Sequence, residues 1–222
     1  MSKIDDSNDY SARHAWQSAE AAAAYRRSRE PGRFKRLRQE ESILHSWLRR
    51  FKKGALVLDV PCGTGRCRAV IEENGLSYIG ADLSGAMIEE ARKDAPNDLT
   101  QGFVIADTEH LPFADKSVDY LVMWRFVHHL RNERIRHTIL QEAARVTRCQ
   151  VLLSFHHPLS FTYLRKMTQR CFCPSGRHGQ PITHWRLKRE AESCGLRLIE
   201  TKGFHKYVSI NWFACLGSRW DK

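Results

Sequence analysis

Between residues 55 and 155 the chain alternates short runs of branched apolar side chains with stretches of helical spacing, and this alternation constrains the fold more than any other feature. The run 55–60 is followed by Pro61-Cys62-Gly63-Thr64-Gly65-Arg66 and a helical stretch that ends at Asn74-Gly75. The run 77–81 leaves through Asp82-Leu83-Ser84 into a helix over 85–93, and 103–106 leaves through Asp107-Thr108. The run 118–123 precedes a helix over 133–146, and 151–155 makes a fifth strand. Parallel neighbours need crossover connections, so strands alternating with helices predict a mostly parallel sheet covered on both faces. In such a sheet a ligand binds at the carboxyl ends of the strands, which brings the loops after residues 60, 81, 106 and 123 to one edge.

The flanks extend this pattern. An alanine-rich helix over 13–30, carrying Trp16 and Tyr25, ends before Pro31-Gly32. A second helix over 34–51 repeats Leu37, Ile43, Leu44, Trp47 and Leu48 at helical intervals. Residues 1–50 therefore read as a helical cap and lead-in, and 51–222 as the main domain, with an irregular insert at about 157–182. A helix over 185–193 and strands at 196–201 and 207–216, joined by a turn at 202–206, bring the sheet to seven strands. At 222 residues, 42% hydrophobic and 27% charged, the chain suits a single α/β domain.

The formal charge of +11 favours anionic partners: RNA, phosphorylated metabolites or an acidic lipid surface. A solvated basic surface explains it as well. Seven cysteines without a CxxC pair, a polar start and no run approaching the ~20 apolar residues of a membrane span point to a cytoplasmic protein with no integral membrane segment.

Asp59 ends the first strand, Gly63-Thr64-Gly65 forms the turn, Asp82 ends the second strand and Asp107 the third. Glycines let the backbone approach a bulky ligand, and the following helix offers free amides to a carboxylate. An acid roughly 20 residues beyond the glycine turn can accept both hydroxyls of an adenosine ribose. Asp107 could accept an adenine amino proton. A dinucleotide fingerprint would place a third glycine where Arg68 stands.

These motifs resemble the class I S-adenosylmethionine-dependent methyltransferases, in particular the ubiquinone and menaquinone biosynthesis branch. The matching residues are Val57-Leu58-Asp59-Val60-Pro61-Cys62-Gly63-Thr64-Gly65, Gly80-Ala81-Asp82-Leu83-Ser84 with Met87 and Ala91, Ala106-Asp107-Thr108-Glu109-His110-Leu111-Pro112-Phe113, and Ser117-Val118-Asp119 leading to Val127-His128-His129-Leu130. Single motifs are weak; four in order over residues 55–155 are specific. Pro61 replaces a usual glycine, so that turn runs with a negative φ. Arg148-Cys149-Gln150 stands where the family has a Pro-Gly-Gly turn before the fifth strand.

The resemblance implies a Rossmann-like sheet and S-adenosyl-L-methionine as cofactor, bound by Asp59, Pro61, Cys62, Gly63, Gly65, Asp82, Leu83, Met87, Asp107, Thr108, Trp124 and Arg125. In that arrangement Asp59 and Gly63 face the methionine end, Asp82 and Leu83 the ribose and adenine, and Asp107 and Thr108 the adenine edge. Trp124 and Arg125 follow the fourth strand beside the sulfonium. Arg125 could pair with the methionine carboxylate, with an anionic substrate, or in a surface salt bridge.

Methyl transfer needs alignment first, and a general base only for a protonated acceptor. His128 and His129, and His156 and His157 after the fifth strand, are the candidates for that base; a scaffold role is the competing reading for the first pair. Tyr25 and Arg33, with Phe161 and Tyr163 of the insert, are candidates for substrate binding. Cys171 and Cys173 lack a third placed ligand, so no metal is expected. The expected activity is methylation of a small-molecule acceptor, anionic or aromatic. A tRNA or RNA methyltransferase is the alternative enzyme, and a non-catalytic cofactor-binding partner protein the alternative of another class.

Overall fold

Seven strands form one sheet: β1 (Leu56–Asp59), β2 (Ser77–Asp82), β3 (Thr100–Ile105), β4 (Val118–Met123), β5 (Thr147–His156), β6 (Leu196–Gly203) and β7 (Asn211–Ser218). Their order is β3-β2-β1-β4-β5-β7-β6. The first five run parallel, and β7 is antiparallel to both β5 and β6. The computed structural model describes residues 17–27, 34–93, 98–160, 181–203 and 210–218.

Strand side chains alternate between faces, and here each face has its own apolar core. Leu58, Leu121, Met123, Val151, Leu153, Ala214 and Leu216 belong to one core, and Val57, Val122, Leu152, Phe213 and Cys215 to the other. Helices α5 (Glu133–Val146) and α6 (His184–Ser193) cover the first through Ile139, Leu140, Ala143, Leu187 and Ala191. Helices α2 (Phe34–Leu48) and α3 (Arg68–Glu73) cover the second through Leu44, Trp47, Leu48, Val70 and Ile71. Full burial of each large apolar side chain stabilises the fold by about 1.5–3 kcal/mol relative to exposure. A seven-stranded, mostly parallel sheet with helices on both faces is the architecture expected from the alternation.

Helix starts are capped by polar side chains, which satisfy amides that lack an intrahelical acceptor. Ser84 Oγ accepts from Met87 N at 3.2 Å at the start of α4 (Gly85–Arg92). Asn132 caps α5 through Arg134 N, and Thr183 caps α6 through Arg186 N. The leading helix, α1 (Ala19–Arg27), packs on α4, where Arg26 Nη1 donates to Glu90 O at 2.6 Å. A buried ion pair joins α5 to α6: Arg136 donates Nε and Nη2 to Glu190 at 2.9 and 2.7 Å, and Nη1 to the carbonyl of Leu130.

Several local expectations change: β6 runs on to Gly203, into the expected turn, and β7 spans Asn211–Ser218 instead of 207–216. The segment Arg148-Cys149-Gln150 is strand, with Gln150 in register with Tyr120 of β4. Helix α5 passes into β5 without a turn because Thr147 is extended and Lys116 Nζ donates to the carbonyls of Ala144 and Thr147, taking the place of a glycine cap. Strand β3 starts at Thr100, three residues earlier than its apolar run, since its backbone pairs with β2 despite weak side-chain patterning. At the glycine turn the Val60–Pro61 peptide is cis, and Gly63 and Gly65 take positive φ values of 54° and 74°. No helix among the described residues is long and apolar enough to cross a membrane.

Candidate active site

A cavity of about 160 Å³ opens at the carboxyl ends of the parallel strands. The loop after β1 contributes Pro61, Cys62, Gly63 and Arg66 to it, with Asp59 at its base; β2 and the start of α4 contribute Asp82, Leu83, Ser84 and Met87. Ala106 and Thr108 come from the end of β3, and Trp124, Arg125, Phe126 and His129 from the segment after β4. Tyr25 of α1 lines it as well.

Asp82 organises the glycine turn. Its Oδ2 accepts from Gly63 N at 2.8 Å and its Oδ1 from Ser84 N at 2.9 Å. A carboxylate offers about four acceptor positions, so acceptor capacity remains for a ligand. Burial raises its pKa, opposed by the amides of Ser84, Gly63 and Leu83. A side chain at position 63 would sit in the left-handed region, strained for any residue but glycine.

Asp59 is buried, and the phenol of Tyr78 donates to its Oδ2 at 3.2 Å. Burial and the neighbouring Asp59 push that phenol well above its usual range. The Cys62 thiol is also pushed up well above its usual range, by burial first and then by Asp59 and Asp82. A thiol held neutral in this way is a packing group and not a nucleophile.

Arg125 is not a loose surface cation. Its Nε and Nη2 form a fork on Glu40 of α2 at 2.7 and 2.8 Å, and Asn211 Nδ2 donates to the same carboxylate at 2.7 Å. Its backbone lies at φ 57°, unusual for a residue with a side chain, and its amide donates to Ser154 Oγ at 2.5 Å. Such a conformation costs of order 1–3 kcal/mol and persists where the surroundings hold it, as they do here on both backbone and side chain. Burial opposes the charge of Arg125, but the hydrogen bonds and charge of Glu40 outweigh it and raise the pKa. Trp124 beside it stacks on Phe213 with centroids 4.7 Å apart.

The four histidines separate into two groups. His129 lines the cavity, and burial followed by the charge of Arg125 lowers its pKa below the usual 6.5. His128 does not line the cavity; it lies between His129 and His156, with ring centroids 4.1 and 3.9 Å away. His157 is buried farther along, against Trp212, with Nε2 3.1 Å from Nδ1 of His184. Its Nδ1 accepts from Leu159 N, so Nε2 carries the proton shared with His184.

Of the other expected residues, Asp107 lies beside the cavity and not in its lining: its Oδ1 accepts from Glu109 N at 3.1 Å, which shapes the loop after β3. Gly65 also stays out of the lining, and its role is close approach to α4, where a Cβ would meet that of Ala91 at 3.6 Å. Arg33, Phe161, Tyr163 and the pair Cys171 and Cys173 lie outside the described residues. Sequence reasoning assigned no role to Glu40, Arg66 or Phe126. Arg66 follows the glycine turn directly and could have been singled out by that position; Glu40 pairs across 85 residues and leaves no local signal.

Residues 57–150 match the family model described as a methyltransferase domain. A demethylmenaquinone methyltransferase of Beutenbergia cavernae is 36% identical over 97 residues, covering 44% of this chain and 38% of that one. The probable tRNA methyltransferase 9B of Homo sapiens is 28% identical over 103 residues, covering 46% of this chain and 21% of that one. The chain thus spans between about a fifth and two fifths of the length of these two curated relatives. Among solved structures, magnesium protoporphyrin IX methyltransferase from Synechocystis PCC 6803, with S-adenosylhomocysteine bound, superposes with a TM-score of 0.74 at 19% identity, covering 93% of this chain and 98% of that one. Residues 57–150 thus carry the match to a methyltransferase domain, on a fold shared with that solved structure.

Proposed function

We propose that this chain is an enzyme that transfers a methyl group from S-adenosylmethionine to a small-molecule acceptor with an aromatic ring. The observation that carries this reading is the convergence of Asp59, Gly63 and Asp82 on one cavity that Tyr25, Trp124, Phe126 and His129 also line. The residues suit the cofactor: Asp82 has acceptor capacity left for a ribose diol, and Leu83, Met87 and Ala106 offer an apolar bed for adenine. Bound S-adenosylmethionine supplies an electrophilic methyl group on sulfur. The chain then aligns the acceptor, keeps water out and, for a phenolic acceptor, takes up its proton at His129.

Asp82→Ala should weaken S-adenosylhomocysteine binding by about 1.5–3 kcal/mol, the range for hydrogen bonds to a charged group. Calorimetry decides this, and an unchanged dissociation constant would show the ribose site to be elsewhere. Labelled S-adenosylmethionine offered with a panel of phenols and quinol precursors tests the acceptor class. Cofactor binding with no transfer to any acceptor favours the non-catalytic partner reading.

RNA as acceptor is the second reading, supported by the tRNA methyltransferase relative and the +11 charge. Several phosphate contacts would make tRNA affinity fall steeply with salt. A flat response removes this reading. Seven cysteines without a CxxC pair support a cytoplasmic setting for either acceptor.

A further inference from the structure

We infer that Arg66, steadied by Tyr25, is the residue that pairs with the carboxylate at the cofactor's amino-acid end; this rests on the reading above. Among the described residues two guanidinium groups line the cavity, Arg66 and Arg125. The second is committed, its fork filled by Glu40 at 2.7 and 2.8 Å. The first is available: Nη1 of Arg66 is buried without a hydrogen-bond partner, and Nη2 donates only to the Tyr25 hydroxyl, at 3.4 Å. Among the described residues Arg66 forms no ion pair.

A buried donor of a charged group left unsatisfied is costly, so a ligand oxygen placed there is favoured. The guanidinium fork matches a carboxylate better than any other side chain does. Position along the chain also fits. Arg66 stands three residues beyond Gly63, whose amide is anchored on Asp82, so the ribose acceptor and the free cation are joined by one short turn. Elsewhere the cavity repels a carboxylate, because Asp59 and Asp82 both line it. Tyr25 lies against the same turn, its Cε1 3.9 Å from where a Cβ of residue 63 would be, and it keeps Arg66 on the cavity side.

The test is calorimetry of wild type, Arg66→Gln and Arg66→Lys with two ligands. S-adenosylhomocysteine carries the carboxylate; 5′-methylthioadenosine keeps the adenosine and sulfur and lacks it. Arg66→Gln is expected to bind S-adenosylhomocysteine about 10- to 100-fold more weakly and 5′-methylthioadenosine within about twofold of wild type, with Arg66→Lys in between. Retained 5′-methylthioadenosine affinity also shows that the variant is folded. Equal losses for both ligands, or no loss for either, would overturn the assignment; the latter result would leave Arg66 free for a carboxylate on the acceptor. Failure of the wild type to bind either ligand removes the cofactor reading itself, and the assignment with it.

Discussion

Glu190→Ala should destabilise the chain by about 3–5 kcal/mol, the cost of leaving one member of a buried ion pair without the other. Arg136 and Glu190 have side chains only 6% and 4% exposed, and the pair joins the two helices that cover one face of the sheet. Without the carboxylate, Arg136 keeps its bonds to the carbonyls of Leu130 and Arg131 but retains a buried positive charge with no counter-ion. Arg186 loses its bond to Glu190 as well, although that residue stays solvated and contributes little. Denaturant unfolding measures the effect as a lower midpoint at unchanged slope. Replacing both partners with apolar residues, Arg136→Met with Glu190→Leu, should recover most of the loss, because no charge is then buried. A single variant within 1 kcal/mol of wild type would mean that water reaches this contact, and roughly that much is all a solvated pair supplies.

The second large effect concerns catalysis. His129→Ala should lower kcat on a phenolic acceptor by about 10²-fold or more, the lower end of what a positioned general base contributes. The sign of the pH dependence follows from the environment of this imidazole. Burial and the charge of Arg125 hold its pKa below 6.5, so it is neutral at pH 7 and able to accept a proton. The rate should be flat near neutrality and fall as pH drops through that lowered value. In His129→Ala the acid limb should disappear along with the rate. His128→Ala should cost far less, since its ring stacks between His129 and His156 without reaching the cavity. A variant at 129 that keeps the wild-type kcat, or keeps the acid limb, rules this base out. His157 offers a control: its pKa is also lowered, by burial and then by His184, yet it does not line the cavity and its loss should leave the pH profile of kcat unmoved.

Much of the fold was legible from local pattern, because period-2 apolar runs and helix caps are short-range signals. Helix α5 begins and ends where its periodicity does, at Glu133 and Val146, with Asn132 as its cap. Strand β5 starts before its apolar run because the feature that makes a turn unnecessary, Lys116 reaching the last carbonyls of α5, comes from about 30 residues away. The cavity was legible to the same degree. Asp59, Gly63 and Asp82 belong to motifs whose spacing follows from a strand, a turn and a crossover helix. The assignment of histidines was not: His128 and His129 are neighbours on a single 3-10 turn, Val127–His129, and adjacent residues there point about 120° apart.

By itself, the order of residues determined the alternating sheet, the edge at which a ligand can sit and the presence there of Asp59, Gly63 and Asp82, since each depends on its place in a strand-turn-helix unit. Tertiary structure alone decided which charges are spent and which remain: Glu40 comes from a helix that precedes the sheet and occupies Arg125, while Nη1 of Arg66 is left without a hydrogen-bond partner. Electrostatic pairing depends on distances between segments far apart in the chain, and no periodicity in a linear sequence encodes them.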